Sequence, residues 1–189
     1  MRKVIASEFV TVDGYMVGPN DDMSWVSKNF NEEMGKYAGD LMESMDTVLL
    51  GRVTYEIMSN AWPNRTEETA PGADKMNHSP KIVFSRTLDQ VEWGKWGNAR
   101  LVKDGAAEEI SRLKQQPGKN MVIYGSATLV DSFSRLGLID EYQLLVHPVV
   151  LGAGKRLFKD LSQPLNLKLL RTESFKNGVV LLYYVPEGK

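Results

Sequence analysis

The chain has 189 residues, of which 42% are hydrophobic and 25% charged, with a formal net charge of −1 and a pI near 6.2. That length suits one domain around a single core, and the balance is globular rather than disordered. Near-neutral charge gives no global pull toward nucleic acid or an anionic membrane, and the lack of cysteine excludes disulfides, thiolate nucleophiles and thiolate-bound metals.

The N-terminal residues enter an alternating pattern at once, without the apolar core of a secretion signal. No window reaches the roughly 18 apolar residues of a membrane span. The expectation is a soluble cytoplasmic protein that takes a small-molecule substrate and binds neither nucleic acid nor membrane. His78 and His147 lie too far apart in sequence to suggest a metal site, and His147, before Pro148 at a strand end, reads as a packed or capping side chain.

Lys3–Val12 is rich in β-formers and ends at the turn pair Asp13-Gly14. Gly14, Gly18, Pro19 and Asn20 then predict a mobile loop through Ser24. Apolar residues at Phe30, Met34, Tyr37, Ala38, Leu41 and Met45 follow helical spacing across Lys28–Met45. A short strand, Thr47–Leu50, leads through Gly51 into a helix over Arg52–Asn60. Ala61–Asp74, with two prolines and many charges, reads as a surface excursion. Lys81–Phe84 is the next strand, Leu101-Val102 a shorter one, and Ala106–Gln115 an amphipathic helix stopped by Pro117-Gly118. Strand Met121–Tyr124 then runs into a helix over Ala127–Leu136, with Gly137 suited to its C′ position.

The last third predicts three long strands, Ile139–Val150, Leu165–Phe175 and Val179–Val185. The last two are joined by Lys176-Asn177-Gly178, a strong hairpin signal. The pattern is therefore α/β within one domain over residues 1–189. It describes a mixed, mostly parallel sheet with helices on both faces and a C-terminal antiparallel hairpin.

Three strands end in small or polar clusters: Gly51-Arg52-Val53-Thr54, Ser85-Arg86-Thr87 and Gly125-Ser126-Ala127-Thr128-Leu129. Ligands of open α/β sheets bind at the carboxyl ends of the strands, so these clusters should meet there. Gly125 lets a phosphate approach the backbone, and Ser126–Leu129 put N–H groups at a helix N-terminus that favours an anion. Gly51–Thr54 is a second such start. Arg52 and Arg86 can grip a phosphate bidentately, with Ser85 and Thr87 as hydroxyl donors. Two phosphate-binding helix starts and an arginine pair point to NADPH over NADH. Any one cluster taken alone is also an ordinary capping feature.

These stretches resemble the dihydrofolate reductase superfamily, in the branch that includes the reductase domain of bacterial riboflavin biosynthesis. The likeness is carried by Ser7–Tyr15, Val48–Tyr55, Lys81–Arg86, Val122–Ala127 and His147–Gly154, which occur in the family's order. The resemblance implies a three-layer fold with NADPH across the sheet. Arg52, Val53, Thr54, Ser85 and Arg86 would hold the adenosine and its 2′-phosphate, and Gly125–Leu129 the pyrophosphate. Ala6, the loop from Asp13 through Gly14 to Gly18, and Leu50 would face the nicotinamide. Tyr15, Trp25, Phe30 and Tyr55 would face a planar substrate, pterin-like or pyrimidinone-like. It also implies a homodimer.

Two departures bear on the substrate. Phe30 stands at the ungapped position of the acid that anchors a pterin, with Glu32 and Glu33 nearby on a charged helix face. The segment Thr54–Pro63 lacks the acidic pair typical of the riboflavin-pathway reductases. Asp13 is the nearest acidic candidate for proton donation, and equally the leading residue of an Asp-Gly turn. A ligand-binding protein without turnover is the competing reading.

Overall fold

The computed structural model describes residues 1–159 and 161–188. The first strand, β1 (Val4–Thr11), is buried along almost its whole length, as befits a central strand covered on both faces. The segment expected as a mobile loop contains a short strand, β2 (Tyr15–Val17), which pairs antiparallel with β8 (Lys155–Arg156). A 3-10 turn at Pro19–Asp21 follows, and Lys155 forms an ion pair with Asp21. Strands of three and two residues carry too little periodicity to be seen in sequence, and these two partners lie far apart in the chain.

Of the helix expected over Lys28–Met45 the structure forms α2 (Glu32–Ser44), and a single turn, α1 (Ser24–Ser27), lies ahead of it. Asn31 divides them, because its side chain caps α2 by accepting the Met34 N–H at 3.0 Å. Phe30 therefore sits in the link between helices and is half exposed, not on a buried helical face. Next come β3 (Met45–Gly51) and α3 (Arg52–Ala61). Within and just beyond the expected excursion lies α4 (Ala73–His78), which buries Ala73, Met76 and Asn77.

β4 (Lys81–Phe84), β5 (Ala99–Val102), α5 (Ala106–Lys114), β6 (Asn120–Ile123) and α6 (Ala127–Arg135) complete the alternating part. Gly137 follows α6 with φ +63°, the left-handed conformation of a C′ residue. β7 (Glu141–His147) is then followed by the hairpin of β9 (Leu167–Ser174) and β10 (Val180–Pro186), where Gly178 takes φ +83° in the turn.

Eight strands form one sheet in the order β5-β4-β3-β6-β1-β7-β10-β9. All neighbours from β5 to β7 are parallel; β10 runs antiparallel to both β7 and β9. Helices α5 and α6 cover one face through Ile110, Leu113, Leu129, Val130 and Phe133, packed on Ala6, Leu49, Met121 and Ile123. Helices α2, α3 and α4 cover the other through Leu41, Tyr55 and Met76, packed on Ile5, Val48, Leu50 and Val83. The architecture is thus the expected three-layer α/β fold. Both edges of β7 are occupied, by β1 and β10, and the edges of the large sheet are β5 and β9.

Candidate cofactor cleft and its neighbours

The carboxyl ends of β4, β3, β6 and β1 form a crest in that order, because adjacent parallel strands end on the same side. Along it lies a cleft of about 710 Å³ lined by Gly51, Arg52, Val53, Ser85, Arg86, Ser126, Thr128 and Leu129 among others. All three clusters singled out in the sequence meet there. A fourth wall was not foreseen: Lys103, Asp104 and Gly105, after β5, and Ala106-Ala107-Glu108 at the start of α5. The short, polar-flanked β5 gave little reason to look beyond it.

Three helices begin on this cleft: α5 after Gly105, and the two the sequence places there, α3 and α6. Gly51 caps α3 and Ser126 caps α6, and neither end has a side-chain cap hydrogen bond. The Leu129 N–H already donates to the Ser126 carbonyl at 2.9 Å, and the N–H groups ahead of it in α6, with those leading α3, face the cleft for an anion. The two starts lie close, as the Gly51 N–H donates to the Gly125 carbonyl at 3.1 Å. A Cβ at Gly51 would run into Ser126 Oγ and stand 3.1 Å from Ser126 N. Only glycine leaves room for that approach. Gly125 itself takes φ +99°, and a Cβ there would lie 2.9 Å from Thr54 Oγ1.

Three cations border the cleft. Arg52 reaches Glu56 at 3.0 Å, Arg86 reaches Asp104 at 3.1 Å, and Lys103 reaches Asp89 at 3.0 Å. All three pairs are largely in solvent, where such contacts hold weakly and exchange readily for a phosphate. Asp104 and Glu108 leave the cleft only modestly positive. Thr87 lies just behind, its N–H bonded to Ser85 Oγ at 3.2 Å.

The remaining expected residues lie elsewhere. Ala6 and Leu50 are fully buried, and Gly14 takes φ +81° in the turn after β1. Tyr15 is buried beneath the Arg156 guanidinium, 4.7 Å from its ring centroid. Tyr55 packs in the core, and its hydroxyl both donates to the Glu92 carbonyl at 3.0 Å and accepts the Glu92 N–H at 2.8 Å. Asp13 accepts from Thr11 Oγ1 at 2.6 Å, from the Gly152 N–H at 2.7 Å and from the Leu151 N–H at 3.3 Å. Those donors, Thr11 foremost, hold its carboxyl below the usual range. This ties the first loop to the segment after β7 and is the opposite of a proton donor poised near neutrality.

Two further buried groups lie near the crest, and the sequence singles out only the second, His147. β1 pairs with β6 only as far as Ala6, opposite Ile123, yet with β7 as far as Thr11, opposite His147. Beyond Ala6 a wedge therefore opens between β1 and the chain leaving β6. Glu8 lies at this wedge, 3% exposed, with its Oε2 3.8 Å from where a Cβ on Gly125 would be. Burial pushes its carboxyl well above the ordinary value, against the hydrogen bond from the Gly125 backbone. Among the described residues its Oε1 has no hydrogen-bond partner. The second group is His147, packed edge-on against Phe9 and Trp25 at 5.6 and 4.9 Å between centroids. Neither of its ring nitrogens has a partner, nor has Trp25 Nε1, and burial lowers the imidazole to about 4. The packed role expected for His147 is seen; the capping role is not. Among the described residues no cluster suited to a metal ion occurs, and no helix is long and apolar enough to cross a membrane.

This is the architecture of an α/β domain with the dihydrofolate reductase fold. The chain belongs to the RibD C-terminal domain family, whose model matches residues 2–181. It is 38% identical over 185 residues to the uncharacterized protein YyaP of Bacillus subtilis (strain 168), covering 97% of this chain and 94% of that one. Solved structures share the fold. A Shewanella sp. PV-4 protein provisionally assigned to riboflavin biosynthesis superimposes with a TM-score of 0.79 at 23% identity, over 98% of this chain and 99% of that one. The Thermotoga maritima diaminohydroxyphosphoribosylaminopyrimidine deaminase/5-amino-6-(5-phosphoribosylamino)uracil reductase gives 0.71 at 17%, over 98% of this chain and 56% of that one. Dihydrofolate reductase from Enterococcus faecalis, complexed with NADP(H), gives 0.63 at 13%, over 98% and 96%.

Proposed function

We propose that the protein is an NADPH-dependent reductase delivering hydride to a C=N or C=O carbon of a small planar substrate, pterin-like or pyrimidinone-like. The observation that carries this reading is the meeting of two uncapped helix starts and three exchangeable cations in one cleft. Family membership supports it, and so does the NADP(H) complex of a protein with the same fold.

The residues fit the cofactor. The N–H groups that begin α6 would bind pyrophosphate, with Gly51 allowing the α3 start to approach. Arg52, Ser85, Arg86 and Lys103 would bind the 2′-phosphate; Lys103 is an addition that the sequence did not suggest. When bound, the cofactor supplies a hydride from its nicotinamide. For the substrate, Trp25 is the stronger contact of the four expected aromatics, since its indole N–H is unpaired whereas the Tyr55 hydroxyl is engaged twice. His147, neutral at physiological pH, would accept from or donate to the same ligand.

Phe30 at the expected acid position and the engagement of Asp13 favour a second reading, an NADP(H)-binding protein without turnover. Calorimetric titration with NADPH, followed by NADPH oxidation with pterins, flavins and pyrimidinone riboside phosphates, separates the two. Binding with oxidation by one substrate class supports the reductase. Tight binding with no oxidation supports the binding protein, and no binding overturns both. Assembly as a homodimer belongs to the same reading; light scattering in solution would show one protomer's mass if it is wrong.

A further inference from the structure

We infer that Glu8 is the charge partner of the cofactor's nicotinamide end, protonated beside the reduced cofactor and ionised beside the oxidised one. The inference rests on the NADPH reading above and assigns a residue to the end of the cleft that carries no phosphate. It starts from the crest. The basic side chains Arg52, Arg86 and Lys103 gather over β3, β4 and β5. A dinucleotide with its extra phosphate there must extend the other way along the strand order, past Gly125 after β6, to the wedge beside β1. Glu8 stands at that wedge.

A carboxyl in such a place needs an explanation. β1 is covered on both faces and Glu8 is buried within it, so an apolar residue there would avoid the desolvation cost. The groups around it are the Gly125 N–H and Tyr124 after β6, Thr54 of α3, Met16 of β2, Leu144 opposite it on β7, and Tyr37 of α2. None of these is a base. Tyr37 and Tyr124 are themselves raised, chiefly by burial and further by Glu8, so they stay neutral and cannot compensate it. Glu8 is thus a buried acid lacking a cation, with one oxygen unengaged.

The reduced nicotinamide ring is neutral and the oxidised ring carries a positive charge. In a site of low effective dielectric, a cation nearby favours the carboxylate strongly, whereas a neutral ring leaves burial in control. Binding of the oxidised cofactor then expels one proton from Glu8 to solvent, and binding of the reduced cofactor does not.

The test is calorimetric titration of NADP+ and of NADPH between pH 6 and 9, in two buffers of different ionisation enthalpy to count protons. The 2′-phosphate titrates in both ligands and cancels in the ratio of their affinities. The inference expects proton release with NADP+ exceeding that with NADPH by up to one. It also expects the affinity for NADP+ relative to NADPH to rise toward about tenfold per pH unit. Glu8→Gln keeps the acceptor for Gly125 and the side-chain shape but cannot ionise, so its affinity ratio should be flat with pH and its excess proton absent. A flat ratio in the natural protein, or a slope that survives in Glu8→Gln, overturns the inference while leaving the cofactor reading intact. Failure of the natural protein to bind either nucleotide overturns both.

Discussion

Replacing Gly51 by alanine tests whether the close approach of the α3 and α6 starts builds the cleft. The backbone at Gly51 has φ −81°, which any residue accepts, so the effect is steric and not conformational. The added methyl would meet Ser126 Oγ, which can rotate away. It would also stand 3.1 Å from Ser126 N and 3.3 Å from Leu129 Cβ, which are fixed to the start of α6. That helix must shift by a few tenths of an ångström, and its contacts through Leu129, Val130 and Phe133 must follow. Overpacking of this kind costs about 1–3 kcal/mol. At this chain length each kcal/mol lowers the melting temperature by roughly 2–4 °C. Differential scanning calorimetry should therefore show a fall of about 2–12 °C, and titration should show weaker NADPH binding, because the displaced N–H groups are those assigned to pyrophosphate. Gly51→Ala with an unchanged melting temperature and unchanged NADPH affinity would refute the reasoning.

Arg52→Ala and Arg86→Ala should leave the melting temperature nearly unaltered, since both pairs are solvent-exposed. Each should weaken NADPH by about tenfold to a hundredfold and leave NADH unchanged, as read by fluorescence titration. For Glu8, whose folded pKa is raised, the protonated form contributes stability below the unfolded carboxyl pKa, and this is lost as pH rises. The melting temperature of Glu8→Gln relative to the natural protein should consequently climb between pH 4 and pH 8; a constant difference would contradict the burial argument. His147 has the opposite sign. Its depressed folded pKa favours the fold above about 6.5 and is lost as pH falls toward about 4, so His147→Phe should flatten that part of the acid unfolding profile.

Much of the architecture was legible because turn chemistry and hydrophobic period agree along most of the chain. Lys81–Phe84 came out as expected, and the Asn177-Gly178 hairpin closed where its turn pair required. The misplaced elements share a cause, which is tertiary information absent from any local window. Met34 and Tyr37 continue the helical spacing of Phe30, so the interruption at Asn31 shows only through its capping bond. β2 exists because β8 comes back to it after a long excursion. The cleft was foreseen from three strand ends, whereas Lys103 required knowing that β5 is the next strand beyond β4. In the sequence Glu8 is one charged residue within the β-forming run Lys3–Val12, with nothing to set it apart. Only the placement of β1 in the middle of the sheet, with helices on both sides, turns that position into a buried acid.

A crystal structure with NADPH bound tests the central claim most directly. The account predicts its phosphates at the starts of α3 and α6, its 2′-phosphate among Arg52, Arg86 and Lys103, and its nicotinamide end at the wedge where β1 parts from β6. A nucleotide lying in the reverse sense would contradict it. So would one seated in the hollow of about 740 Å³ between α2 and the β9–β10 hairpin, lined by Lys36, Tyr37 and Arg171.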